Sequence, residues 1–211
     1  PEKITTIYEG INDDFRPNLN AAAVAKTKEK LKITKPYILY TGVWRSHKNL
    51  VNLIKAFGVL RTKYQEDVQL VITGKKDPLY HEVVRAAKET PCADDIILTG
   101  MVTEKELIDL YTGATLYTLP SLYEGFGLST LEAMQCGIPV AVSNTSCLPE
   151  ICGEGNAIFF DPYDTTDIAD KLHAGLINPE LRETLIENGK RRAAEFSWDT
   201  MTTETLALYN Q

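Results

Sequence analysis

The 211-residue chain carries 44% hydrophobic and 24% charged residues and a formal net charge of −7. A chain of that size buries a sizeable core in one domain or two small ones, and no apolar run approaches the ~18 residues of a membrane-crossing helix. The acidic balance excludes a protein whose work is neutralising a nucleic-acid backbone and restricts any phosphate site to a small, locally built one.

The chain opens PEKITTIYEGINDDFRP, with neither a basic start followed by an apolar run nor an initiator Met. The expectation is a segment cut or processed from something longer, without a secretory signal. Residues 1–17 read as a lead-in strand and loop, and 20–32 (NAAAVAKTKEKLK) as one helix. Short β-branched runs follow at 36–42, 68–74, 95–100, 115–120, 138–143 and 157–162. Helical periods lie between them. Leu50, Leu53, Ile54, Phe57 and Leu60 form one stripe, with Asn49 as the predicted cap, and Thr103 with Glu106 three residues on makes a capping box. Beyond 164 the chain reads as helices only. Strands apolar on both faces and separated by helices predict an α/β fold, a Rossmann-like, doubly wound parallel sheet. The cysteines Cys92, Cys136, Cys147 and Cys152 match no zinc or C-x-x-C spacing and read as free thiols of a reducing cytoplasm.

In a doubly wound sheet, ligands bind beyond the carboxyl ends of the strands, here Gly42, Gly74, Gly100, Ser121 and Asn144. The exit of the fourth run, SLYEGFGLSTLEAMQCG, holds Glu124 and Glu132 around the turn Gly125-Phe126-Gly127. A helix opening at Leu128, with Leu128, Leu131 and Met134 as its buried face, presents unpaired N–H groups and its positive dipole end to an anion. Carboxylates are poor partners for phosphate and good acceptors for sugar hydroxyls, so the ligand that fits has phosphate in the middle and hydroxylated rings at both ends. The exit of the first run, GVWRSHKNL, supplies Arg45, His47 and Lys48; read alone, these form an ordinary solvated loop. Lys75, after Gly74, is placed to support phosphate or base, and the backbone of Met101 and Val102 to meet a nucleobase edge.

The stretch GFGLST fails as a dinucleotide fingerprint, because Thr130 stands where the third glycine belongs and the next strand ends in Asn144 instead of an acid. The acidic pairs Asp13-Asp14 and Asp94-Asp95 form no D-x-D site, and Asp161 and Asp164 read as a strand end and a helix cap. No metal is expected to be required.

Together these motifs resemble the C-terminal, donor-binding domain of the retaining GT-B glycosyltransferases of family 4 (glycosyl transferases group 1). The element Glu124-x7-Glu132, the dense match over 121–162, the lysine loop and the exits TGKK and TGMV carry the resemblance. It implies that Glu124 contacts the donor sugar, that Gly125, Phe126 and Gly127 offer N–H groups to sugar or phosphate, that the Leu128 main chain holds the diphosphate, that Glu132 takes the ribose hydroxyls, and that Lys48 neutralises the leaving diphosphate. Where many relatives carry a second arginine, this chain has Val43 and His47; Arg45 or His47 stands in for it. The resemblance makes residues 1–17 an interdomain connection, 18–198 the nucleotide-sugar-binding domain and 199–211 a helix crossing to a missing N-terminal acceptor domain.

The implied donor is a nucleotide diphosphosugar, mannose or glucose first, used without a cofactor in glycan or polysaccharide synthesis. The implied setting is the cytoplasm, at the periphery of an inner membrane if the missing half provides the attachment. Two other readings share the scaffold: a nucleotide-binding module without turnover, and a nucleotide-sugar epimerase or phosphorylase.

Overall fold

The computed structural model describes residues 4–210. In chain order it forms α1 (Ala21–Lys30), β1 (Tyr37–Thr41), a 3-10 turn (Ser46–Lys48), α2 (Leu50–Lys63), β2 (Gln69–Thr73), α3 (Glu82–Glu89), β3 (Ile96–Gly100), α4 (Glu104–Gly113), β4 (Leu116–Leu119), α5 (Leu128–Gln135), β5 (Val140–Ser143), α6 (Leu148–Cys152), β6 (Ile158–Phe160), α7 (Thr165–Ile177), α8 (Pro179–Ala193) and α9 (Trp198–Tyr209). All six predicted strands are present, in one parallel sheet of order β3-β2-β1-β4-β5-β6.

That order reverses once. From β1 the chain steps outward through β2 to β3, then returns across the sheet to lay β4 on the other side of β1. Right-handed crossovers in the two directions place their helices on opposite faces. The helices accordingly pack in two groups, α2 with α3 and α7, and α1 with α4 beside α5 with α8. The strands β1, β2, β4 and β5 are buried at every residue, which is why they read as continuous apolar runs; the edge strand β3 is only partly covered.

Local chemistry sets the helix starts. The Asn20 side chain accepts from the Ala23 amide at 3.2 Å. Asp164 caps α7 through Thr166 and Asp167, and Asn178 caps α8 ahead of Pro179. The Thr103–Glu106 capping box closes in both directions.

Two expectations are corrected. Asn49 does not cap α2: it sits in the left-handed region at φ 59°, and its Nδ2 donates instead to the Pro162 carbonyl at 2.8 Å, tying the loop after β1 to the loop after β6. Residues 4–17 form no strand; the segment runs over α5, α8 and the start of α9, anchored by buried Ile11 and Phe15 and by the Ile11 amide donating to the Phe196 carbonyl at 3.2 Å. The α9 helix buries none of its residues, and Trp198, Leu206 and Tyr209 are exposed.

At the C-terminal edge of the sheet the backbones crowd. Gly74 has φ +128°, and a Cβ there would collide with the carbonyl of Gly42. Gly100 also has positive φ, at +71°, but faces open space. Gly74→Ala is therefore expected to lower unfolding stability by about 2 kcal/mol or more, against about 1 kcal/mol for Gly100→Ala, read as the difference in urea midpoints. Equal losses would contradict the packing described here.

Candidate functional site

The reversal between β1 and β4 places their two exit loops side by side. The strands are hydrogen-bonded neighbours, Ile38 opposite Leu116 and Leu39 opposite Tyr117. Beyond them, the Leu122 amide donates to the His47 carbonyl at 2.8 Å, so the two loops leave the sheet as one surface.

The loop after β4 turns into α5 at Gly127, which is left-handed at φ +95° and buried. A side chain there would strike Leu148, so the sharp turn requires glycine. The amides of Gly125, Phe126, Gly127, Leu128 and Ser129 donate to no protein acceptor among the described residues. The carbonyls of the same loop are held from behind. Ser146 Oγ donates to the Glu124 carbonyl at 2.9 Å and accepts from the Glu124 amide at 3.2 Å, while Cys147 Sγ lies 3.4 Å from the carbonyls of both Glu124 and Phe126. The loop thus faces outward with its donors free, a ready-made anion site at a helix start.

Two clefts flank this row of amides. One, of about 720 Å³, is lined by Glu124, Gly125, Phe126 and Gly127 together with Tyr8 and Glu150. The other, of about 330 Å³, is lined by Gly42, Gly74, Met101, Val102 and Glu132 together with Thr41, Thr73 and Leu107. Lys48, Leu128 and Ser129 line both.

Lys48 Nζ reaches the two carboxylate oxygens of Glu124 at 2.6 and 2.7 Å, and buried Ser121 donates to Glu124 Oε1 at 2.6 Å. Their side chains are 18% and 10% exposed, so each ion has lost most of its water and depends on the other. An ammonium has three donors on a flexible stem, so Lys48 can keep Glu124 and still turn a proton toward an anion at the α5 start.

Glu132 lies one turn into α5, half-buried. Burial holds its carboxyl above the ordinary range; the hydrogen bond from Tyr111 opposes this, and the nearby Glu104 carboxylate adds to it. Leu128, predicted on the buried face, is instead 36% exposed, because the first helical residue after a left-handed turn still points into the mouth of the clefts. Thr130, Leu131, Ala133 and Met134 form the buried face.

Four predicted site residues line neither cleft, among them Ser121, which acts behind Glu124 as described above. Arg45 is 61% exposed and 3.5 Å from Asp77. Lys75 is exposed, and its carbonyl accepts from the Trp44 amide at 2.9 Å. His47 enters the site through its carbonyl, as above. Sequence reasoning missed Tyr111, Ser129, Thr41 and the Ser146-Cys147 brace. Tyr111 reads in sequence as part of an apolar helix stripe, and nothing in its spacing marks its hydroxyl as facing Glu132. Among the described residues no three His, Cys, Asp or Glu side chains gather as a metal cluster, and no helix is long and apolar enough to cross a membrane.

Comparison with known proteins adds an independent finding. The family profile described as glycosyl transferases group 1 matches residues 23–192. O-antigen chain mannosyltransferase B of Escherichia coli is 31% identical over 212 aligned residues, covering 99% of this chain and 54% of that protein. Sucrose-phosphate synthase from Thermosynechococcus elongatus superposes with a TM-score of 0.79 at 26% identity, over 96% of this chain and 51% of that one. The crystal structure of the C-terminal domain of a group 1 glycosyl transferase, LpcC from Francisella tularensis, shares the fold at a TM-score of 0.69 and 24% identity, over 86% of this chain and 94% of that one. The chain therefore spans about half the length of the first two.

The raised carboxyl of Glu132 has a consequence for stability. Between the ordinary carboxylate range and its folded value the native state holds a proton that the unfolded state releases. Its contribution is fully present below the ordinary range and is lost as pH rises through the folded value. Glu132→Gln should therefore match the parent near pH ~4 and exceed it at pH ~7 in urea denaturation. A variant less stable than the parent at neutral pH would contradict the burial argument.

Proposed function

Because the chain belongs to the glycosyl transferases group 1 family, we propose that it is the donor-binding half of a retaining GT-B hexosyltransferase of family 4, acting on a nucleotide diphosphosugar. The observation that carries this reading is the row of unpartnered amides from Gly125 to Ser129, with one carboxylate-bearing cleft on each side and Lys48 common to both. A nucleotide sugar has the same order of parts: a hydroxylated sugar, a diphosphate, a ribose and a base.

In this reading the diphosphate lies on the α5 start. Glu132 accepts ribose hydroxyls, and the base lies over Gly42 and Gly74 against Met101 and Val102. The sugar occupies the larger cleft, oriented by Glu124. Transfer from such a donor passes through an oxocarbenium-like state, so the principal demand is stabilising the departing diphosphate. Lys48 and the α5 amides meet it with fixed positive charge, and the reading asks for no metal. Arg45, paired with Asp77 outside the clefts, would turn inward as the second cation in this proposal.

The mannosyltransferase relative favours mannose as the transferred sugar. An acceptor domain N-terminal to this chain would close over the larger cleft, with residues 1–17 as the connection, 18–198 as the donor domain and 199–211, with the exposed α9, crossing to it. Any contact with the cytoplasmic face of a membrane would belong to that half. The chain alone would bind donor and turn nothing over.

Calorimetric titration of the 211-residue chain with GDP, UDP, ADP and dTDP, without metal, tests the reading. One nucleotide should bind saturably, and Lys48→Ala and Glu132→Ala should each weaken it about tenfold or more. No saturable heat from any of the four would contradict the proposal.

A further inference from the structure

Tyr111 sits in the last turn of α4 with no exposed surface. Its ring packs edge-on against Phe15 at 5.9 Å and tilted against Tyr117 at 5.8 Å, which fixes where the hydroxyl points. The hydroxyl emerges beneath the smaller cleft, 2.9 Å from Glu132 Oε2, 3.0 Å from Thr41 Oγ1 and 3.2 Å from the Ser129 carbonyl. It therefore joins three elements, α4, β1 and α5, at the point where β1 ends and α5 begins.

Burial and the neighbouring Glu132 carboxylate hold the phenol far above its ordinary range, so it keeps its proton. That single proton has three acceptors in reach, and Glu132, when ionised, outcompetes both the Ser129 carbonyl and the Thr41 hydroxyl. Thr41 must then donate to the phenolic oxygen. The chain Thr41 to Tyr111 to Glu132 runs in one direction, and it fixes the carboxylate by Oε2. Glu132 Oε1 takes no hydrogen bond from any described residue and belongs to a side chain lining the cleft.

A carboxylate that accepts two vicinal hydroxyls must be held in one rotation about its terminal bond, and that bond is otherwise soft. We propose that Tyr111 is the positioning residue that locks Glu132 for a ribose, and so sets the chain's preference for a ribonucleotide over a 2′-deoxyribonucleotide. The proposal rests on the donor-site reading above and goes beyond it in assigning the discrimination to a residue that touches no ligand.

Tyr111→Phe removes only the hydroxyl and keeps the packed ring; Thr41→Val removes the donor behind it and keeps the β-branched shape. Calorimetry with GDP and UDP beside their 2′-deoxy counterparts gives the readout. The parent should prefer the ribonucleotide by about tenfold, and Tyr111→Phe should shrink that ratio toward one mainly by weakening the ribonucleotide. Thr41→Val should move the same ratio in the same direction by less. Adding Glu132→Gln to Tyr111→Phe should change the ratio no further, since both act through one carboxylate.

Equal weakening of ribo and deoxy ligands in Tyr111→Phe would make the tyrosine a packing residue and overturn the proposal. So would a parent that binds nucleotide without discrimination, while the donor-site reading would stand. A parent silent toward these nucleotides and toward ADP and dTDP would overturn both. Should Tyr111→Phe lose its cooperative unfolding transition, the Thr41→Val ratio decides alone, and an unchanged ratio there overturns the proposal.

Discussion

Everything in the site depends on the one reversal of strand order, which makes β1 and β4 hydrogen-bonded neighbours although they are separated by two complete strand-helix units. Parallel strands of a doubly wound sheet all end at one edge, and helices fed in opposite directions part there and leave a crevice. Lys48 and Glu124, 76 residues apart in the chain, meet in that crevice. The crowding of Gly74 against Gly42 is the same constraint seen at the backbone: the exits of β1 and β2 lie so close that only glycine fits.

The electrostatics follow from that geometry. In the proposed reading, a chain of net charge −7 holds an anion through one lysine and a helix start, placed where few other donors are needed. The carboxylates beside them are kept at some cost. Glu132 carries a burial penalty visible in its raised pKa, and Glu124 is buried beyond what a solvated loop would impose and is neutralised by Lys48. Groups that a packed core would not keep mark a candidate ligand surface. The exposed Met101 and Leu128 on the same rim are the apolar counterpart of that observation.

Much of this was legible in the sequence, for reasons of short range. Strand runs, glycine exits, the Thr103–Glu106 box and the helix opening at Leu128 are written within a few residues, and the sheet rule converts them into positions on one edge. What was not legible spans the fold. The pairing of Asn49 with Pro162 crosses 113 positions and replaces a capping bond that local pattern favours. Arg45 turns to Asp77 because the β2 exit lies beside it. The Ser146-Cys147 brace and the Tyr111 hydroxyl are side-chain directions, set by packing and without a period of their own. The segment from 4 to 17 reads as a strand from its β-branched opening but forms none, held instead by the bond from Ile11 to Phe196.

The most direct test of the account is a crystal structure of this chain with the ribonucleoside diphosphate it binds most tightly. Phosphate oxygens are expected within hydrogen-bond distance of the amides from Gly125 to Leu128 and of Lys48 Nζ, the ribose against Glu132, and the base between Gly74 and Met101. A nucleotide seated elsewhere, such as the cavity of about 370 Å³ lined by Ile11, Lys190 and Trp198, would contradict it.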